Sequence, residues 1–338
     1  MIFLLSLIQG MWVVRWEIPD VPSALKMVED AARYGITDIF LQVYARGEVL
    51  YPSSFIPRFE ELRTREDLLS LVLEEAHKRG IRVHAWLNLF YTWSQAPFPP
   101  HSHHITRKYP QWFVADRTGR SIFTYSIDEL KKKGLPGYFT SPFSDIYEYL
   151  LKMVKEVLSY PVDGIHLDYV RYPAPYFGYE LPARNYFYSR YGVDFFQDPL
   201  ISFFNHRALE KMHMEEKKKR ITELVREIRK LSRGKILSVA CLPDPEEAER
   251  LGQDWVGWLK EGLIDYAVPM TYTASPEWFR KRIKKYPRDK VLPGIGGYLT
   301  DCSIVKKEIK ITKDMGFKGW VIFSYGSSDL TCLQSSTQ

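Results

Sequence analysis

The sequence predicts a single closed (β/α)8 TIM barrel with long loops after strands three and four. Three observations carry this. Eight short apolar, β-branched runs alternate with amphipathic helical segments between residues 11 and 326. The runs lack strict in–out alternation, as parallel strands covered on both faces should. The 338 residues show no compositional break, internal repeat or low-complexity tract that would divide them.

The strands read, in order, "MWVVRW" (11–16), "DIFLQVY" (38–44), "RVHAWLNL" (82–89), "DGIHLDYV" (163–170), "ILSVACL" (236–242), "DYAVPMTY" (265–272), "VLPGIGGY" (291–298) and "GWVIFSYG" (319–326). Helices fill the gaps. Residues 22–34 place Leu25, Val28 and Ala32 on one face and stop at Gly35. The next helical segment opens with Thr64 as N-cap and Asp67 at the third position, and closes at Gly80. Two connections are long, 90–142 after strand three and 173–214 after strand four, and both are rich in Pro, Tyr and Phe. The barrel therefore spans 11–330, between an apolar segment 1–10 and a tail 331–338. Segment 1–10 reads either as a signal remnant, which would place the protein outside the cytoplasm, or as a lead-in to strand one. It is too short to span a bilayer before Arg15.

Composition narrows the classes. Apolar residues at 45% and charged residues at 26% describe a globular chain with a large core. The net charge of +6 comes largely from residues 211–235, where Ile221, Leu224, Val225, Ile228 and Leu231 form one apolar stripe. That pattern is a solvated helix, so no nucleic-acid partner is expected. Cys241, Cys302 and Cys332 are scattered and read as free thiols. His101, His103 and His104 lie in a Pro-rich loop with poor spacing for one face, so no metal or cofactor is expected. Aromatic residues reach 15%, which suits either an aromatic core or a surface for stacking. Nothing in the sequence sets the oligomeric state.

Location along a strand sorts the polar residues. In this fold, active sites lie at the C-terminal ends of the strands. Asp38, Asp163 and Asp265 begin strands and should serve structure. Asp168 is five residues after Asp163, near the top of strand four. The odd offset puts the two on opposite faces, and parity alone does not say which faces the axis. Arg171, three residues later, would keep Asp168 ionised. Arg46, Glu48, Trp86, Asn88, His166, Asp244 and Tyr272 also gather at strand tops, and Tyr172 follows Arg171.

"LQVYARGEVLYPSSF", "VHAWLN", "DGIHLDYVRYP" and "GQDWVGWLKEGLIDYAVPMTYT" together resemble the glycosyl-hydrolase-like family 10 proteins. The resemblance covers about residues 11–326. It implies a TIM barrel acting on carbohydrate, often of bacterial cell-wall or cell-surface origin. Members often carry two consecutive Asp in the strand-four motif, where this chain has Asp168 and Tyr169. Glu48 stands where members often have Asp. "DGIHLD" is also similar to a family 13 amylase pattern whose final Asp is the nucleophile. "VPMTY" is similar to a family 18 chitinase motif, but the Glu those enzymes need is Val170 here.

Glycoside hydrolysis commonly needs two carboxyl groups. Asp168 is the first candidate. Glu48 and Asp244 are the candidates for the second, with a salt bridge to Arg46 and a helix N-cap as their structural readings. Arg46, Trp86, Asn88, His166, Arg171, Tyr172 and Tyr272 are the expected carbohydrate contacts; His166 reads more readily as a satisfied interior histidine than as an acid–base group, and the aromatic rings read equally as core. The expected function is a glycosidase. A glycan-binding barrel without chemistry and a metal-dependent, deacetylase-like enzyme are the alternatives.

Overall fold

The computed structural model describes residues 7–99, 101–192, 194 and 206–334. Its barrel strands are β1 Ile8–Val13, β2 Asp38–Ala45, β3 Arg82–Asn88, β4 Gly164–Asp168, β5 Ile236–Cys241, β6 Tyr266–Pro269, β7 Gly294–Gly296 and β8 Gly319–Phe323. They run parallel in the order β7-β8-β1-β2-β3-β4-β5-β6. Bridges Ala267↔Val291 and Met270↔Gly294 join β6 to the β7 side and close the ring.

The first strand begins at Ile8, three residues before the apolar pattern suggested. Ile8 pairs with Gly319 and Gly10 with Asp38, so both neighbours hold this stretch in the barrel. Gly10 is needed there, because a Cβ would sit 2.7 Å from the Phe40 ring. Arg15–Glu17 leaves the strand as a 3-10 turn. Its ends are anchored: Arg15 donates to Gln42 Oε1 (3.2 Å), and Glu17 accepts from Ser324 Oγ (2.6 Å).

Two apolar layers follow from strand alternation. Trp12, Phe40, Trp86, Tyr266, Val268 and Val321 fill the barrel interior. Ile165, Leu167, Ile39, Leu41 and their counterparts face the helices in a second, larger layer. That settles the strand-four parity: His166 and Asp168 alternate with the outward Leu167 and point inward.

The surrounding helices include Val21–Arg33, Leu68–Lys78, Ile146–Leu158, His206–Leu231, Pro276–Ile283 and Cys302–Asp314. Asp67, not Thr64, caps the second, by accepting from Ser70 N (3.1 Å). The stripe Ile221, Leu224, Val225 and Ile228 is fully buried, as amphipathic spacing predicts. None of the described helices is long and apolar enough to cross a membrane. After β3 the chain forms an antiparallel pair, Tyr91–Ser94 with Gly137–Phe139. After β4 it forms a helix, Leu181–Tyr191.

The cysteine reading needs correction. Cys302 and Cys332 form a disulfide across 30 residues of sequence, and only Cys241 is free. Linear spacing hid the pair because the chain returns through β8 before the C-terminal turn Leu330–Leu333 reaches the start of helix Cys302–Asp314.

Candidate active site

Asp168 ends β4 and is 5% exposed. Trp86 Nε1, from the adjacent strand, donates to its Oδ2 (3.1 Å). The backbone N–H of Tyr169 donates to Oδ1 (2.6 Å). Tyr169 adopts a left-handed φ of 47°, which turns the chain immediately after the strand. Both bonds come from neutral groups. Burial therefore dominates, and the Asp168 carboxyl is pushed up to about 6 although the two N–H groups and Arg171 pull it down.

This revises the part expected of Arg171. Its guanidinium lies over the Tyr169 ring at 5.0 Å and donates to the Tyr172 carbonyl (3.3 Å), with no hydrogen bond to Asp168. Its charge helps, but it does not overcome desolvation. Asn88 pairs in register with Asp168, and its Oδ1 is buried without a partner. Tyr272 stands on the opposite side; burial first, and then the Asp168 charge, raises its phenol well above the usual range. Cys241 is close enough that Asp168 adds to the rise that burial imposes on its thiol.

Beside Tyr272 lies an aromatic rim. Tyr272, Tyr298 and Phe323 meet pairwise at 5.7 to 5.9 Å between ring centroids. Tyr298 is 48% exposed, and Tyr272 and Phe323 are partly so. The rim gives the Asp168 end of the barrel flat apolar faces open to solvent, the kind of surface on which sugar rings stack. The seventh strand run, 291–298, ends at Tyr298, whereas Phe323 sits in an apolar strand context that reads as core.

Other candidates sit elsewhere. His166 is wholly buried. Trp12 Nε1 donates to its Nε2 (3.1 Å), which leaves Nδ1 to bond Ser238 Oγ (2.8 Å). With both nitrogens occupied and burial holding it neutral, it is an interior histidine and offers nothing to substrate. Tyr172 is likewise buried, beneath the ammonium of Lys217 at 4.7 Å. Asp244 is exposed and caps helix Pro245–Arg250, accepting from Glu246 N and Glu247 N.

Glu48 occupies a hairpin that the strand pattern did not reveal. Arg46 and Gly47 have φ of 54° and 72°, the two positive values a tight hairpin turn requires. The turn folds Glu48 back to pair with Ala45. Its side chain is 0% exposed and bonds Arg46 Nη2 (3.3 Å), and its Oε1 has no partner. Burial pushes it up to about 8 against the pull of Arg46. Glu61, which sequence reading missed, joins Arg15 (3.1 Å) and Arg46 (3.0 Å) in the same cluster. Tyr91 connects the two regions through its stack on Tyr169, at 4.6 Å. Among the described residues, neither Glu48 nor any other carboxylate touches Asp168. The histidine loop does not converge on a metal: His104 is buried and bonds the Arg46 carbonyl (2.6 Å), while His101 and His103 are exposed.

Fold and site together define a closed parallel barrel with an inward carboxylate at the top of its fourth strand, the framework of many glycoside hydrolases. The chain belongs to the glycosyl hydrolase-like 10 family, whose model matches residues 8–290. It is 23% identical over 295 residues to glycosyl hydrolase YngK of Bacillus subtilis, covering 78% of this chain and 53% of that protein. It is 26% identical over 276 residues to glycosyl hydrolase DigH of Escherichia coli K12, covering 74% and 57%. The chain thus spans little more than half the length of these relatives. In structure it is similar to the PgaB (BpsB) glycoside hydrolase domain of Bordetella bronchiseptica, with a TM-score of 0.69 at 16% identity over 94% of each chain. It is also similar to α-L-fucosidase isoenzyme 2 of Paenibacillus thiaminolyticus, with a TM-score of 0.64 at 15% identity over 96% of this chain and 47% of that one. At these identities the structural likeness speaks for the fold.

Proposed function

We propose that the protein is a glycoside hydrolase in which the ionised Asp168 carboxylate acts at the sugar's reacting carbon, as nucleophile or as base. The observation that carries this reading is an inward strand-top carboxylate with a pKa near neutrality, next to an exposed aromatic rim. Both carboxylate oxygens receive N–H donors, which favours the ionised form as the working one. Tyr272 and Tyr298 would stack on the sugar rings. The hydrolase names of the family and of its relatives support the same class.

One observation favours a second reading. Glu48 is sealed from solvent in its pairing with Arg46 and Asp244 caps a surface helix, so neither offers an open second carboxyl. A glycan-binding barrel without turnover needs none. A panel of oligosaccharides and cell-wall glycans, assayed with the natural chain beside Asp168→Asn, separates the two. Release of reducing ends by the first and not by the second supports hydrolysis. Equal activity removes Asp168 from the mechanism, and binding without release by either protein supports the second reading.

A further inference from the structure

A pocket of about 560 Å3 has among its lining neither Asp168 nor any residue that bonds it. It is formed by the loop Ser53–Pro57 after β2, the histidine-bearing loop after β3 and helix Ile146–Leu158. Its volume falls within the range of small-molecule sites, about 300–1,000 Å3.

Two chemistries meet there. The walls are aromatic: Phe55 packs edge-on against Tyr149 at 5.0 Å, and Tyr109 stacks on Trp112 at 3.8 Å. The rim is cationic. Lys152 Nζ lies 3.9 Å from the Phe55 ring centroid, and Lys108 Nζ lies 5.1 Å from that of Tyr109. Neither ammonium meets a carboxylate among the described residues. Of the acids nearby, Glu156 accepts from Tyr51 (3.1 Å), Ser53 (2.7 Å) and Ser54 (3.1 Å), Glu60 sits 3.9 Å from His101, and exposed Glu148 lies one helical turn before Lys152. No carboxylate lines the pocket. Exposed His101 and His103 complete the rim, which places part of the unexplained "HSHH" stretch at a surface.

A pyranose ring offers an apolar C–H face to an aromatic wall, and a carboxylate on that ring would meet the lysines. A bare phosphate would use the lysines and leave the aromatic walls idle. We propose that this pocket is a non-catalytic binding site for an acidic saccharide unit, separate from Asp168 and the aromatic rim beside it.

The test uses the full chain carrying Asp168→Asn, so that no probe is turned over. Calorimetric titration is done with a galacturonate tetramer, with the same tetramer after carboxyl reduction, and with inorganic phosphate. The expected result is measurable binding of the acidic tetramer. Lys108→Gln with Lys152→Gln should weaken it at least tenfold, Phe55→Ala several-fold, and carboxyl reduction at least tenfold. Both lysines are exposed, so their Gln variants should melt with the parent. The proposal is overturned if the tetramer does not bind, if the lysine pair leaves its affinity unchanged, if the reduced tetramer binds equally, or if phosphate alone binds as tightly. Every readout is binding, so the outcome stands apart from whether Asp168 catalyses hydrolysis.

Discussion

The same residue type does opposite work at the two ends of the barrel. At the bottom, Asp38 accepts from Arg82 Nε (2.7 Å) and Nη2 (2.8 Å), His84 Nε2 (2.8 Å) and Thr37 Oγ1 (2.6 Å). Burial alone would raise its pKa, but these bonds outweigh it and hold the group below the usual carboxylate range. Asp163 receives Val83 N and His77, and Asp265 receives Leu237 N and Arg229, so each ties a strand to its neighbour or to a helix. At the top, Asp168 is just as buried yet receives two neutral N–H groups and no cation by direct contact. What separates Asp38 from Asp168 is the count and charge of their donors, since these two are both buried; Asp163 and Asp265 are staples that solvent still reaches.

The largest expected effects come from deleting one charge at each end. Asp168→Asn should lower turnover about 10²–10⁴-fold, the range for losing a positioned acid–base group, with the fold kept and its stability near neutral pH not reduced. Asp38→Asn should do the reverse. It removes the carboxylate shared by fully buried His84 and partly exposed Arg82, at about 2–3 kcal/mol in stability once the exposure of Arg82 is discounted, read from denaturant unfolding. Protein that remains folded should keep its active site. If Asp38→Asn proved harmless to stability, or Asp168→Asn unfolded the barrel, the contrast would fail.

Stability against pH should show the two ends with opposite sign. Asp168 is raised from 3.8 to about 6, so its contribution is fully present below pH 4 and is lost as pH climbs through 6. The size is about 3 kcal/mol, at 1.36 kcal/mol per unit. Asp38 is depressed, so its contribution is present above its unfolded pKa and is lost as pH falls below it. Subtracting the unfolding free energies of the natural chain from those of Asp168→Asn at each pH isolates the first. That difference should grow in favour of the variant between pH 4 and 7. A flat difference would mean that Asp168 titrates normally. In the same window, kcat/KM of the natural chain should fall on the acid side with a limb near pH 6.

Much of this contrast is legible in the chain, and what is not has definite causes. Strand starts and ends follow from apolar runs, so the bottom placement of Asp38 and the top placement of Asp168 can be read directly. The face of Asp168 cannot, because parallel strands are apolar on both sides and carry no parity signal. The Arg46 contact of Glu48 agrees with its structural reading, but the hairpin that seals it does not show in the pattern, because two residues, Arg46 and Gly47, reverse the chain where the pattern reads on into a loop. The roles of His166 and Tyr172 turn on partners 72 residues away in Ser238 and 45 away in Lys217, which no local pattern contains. The Cys302–Cys332 link was hidden in the same way, since it depends on where β8 returns the chain.

The subtlest expected effect lies in the one side-chain bond that Asp168 makes. The indole N–H of Trp86 stabilises the ionised carboxylate, and Phe at that position would keep an interior ring while removing the donor. Losing a hydrogen bond to a charged group costs about 1.5–3 kcal/mol, equivalent to about 1–2 pH units. Trp86→Phe should therefore move the acid limb of kcat/KM upward by that amount and leave turnover at pH 8 within several-fold of the natural chain. A uniform loss at all pH values would instead mean that Trp86 acts by shaping the cleft floor, where it meets Phe323 edge-on at 6.3 Å. An unmoved limb would show that the backbone N–H of Tyr169 alone holds the charge, and the tuning of Asp168 would then belong to the left-handed turn after β4, with its neighbouring strand playing no part.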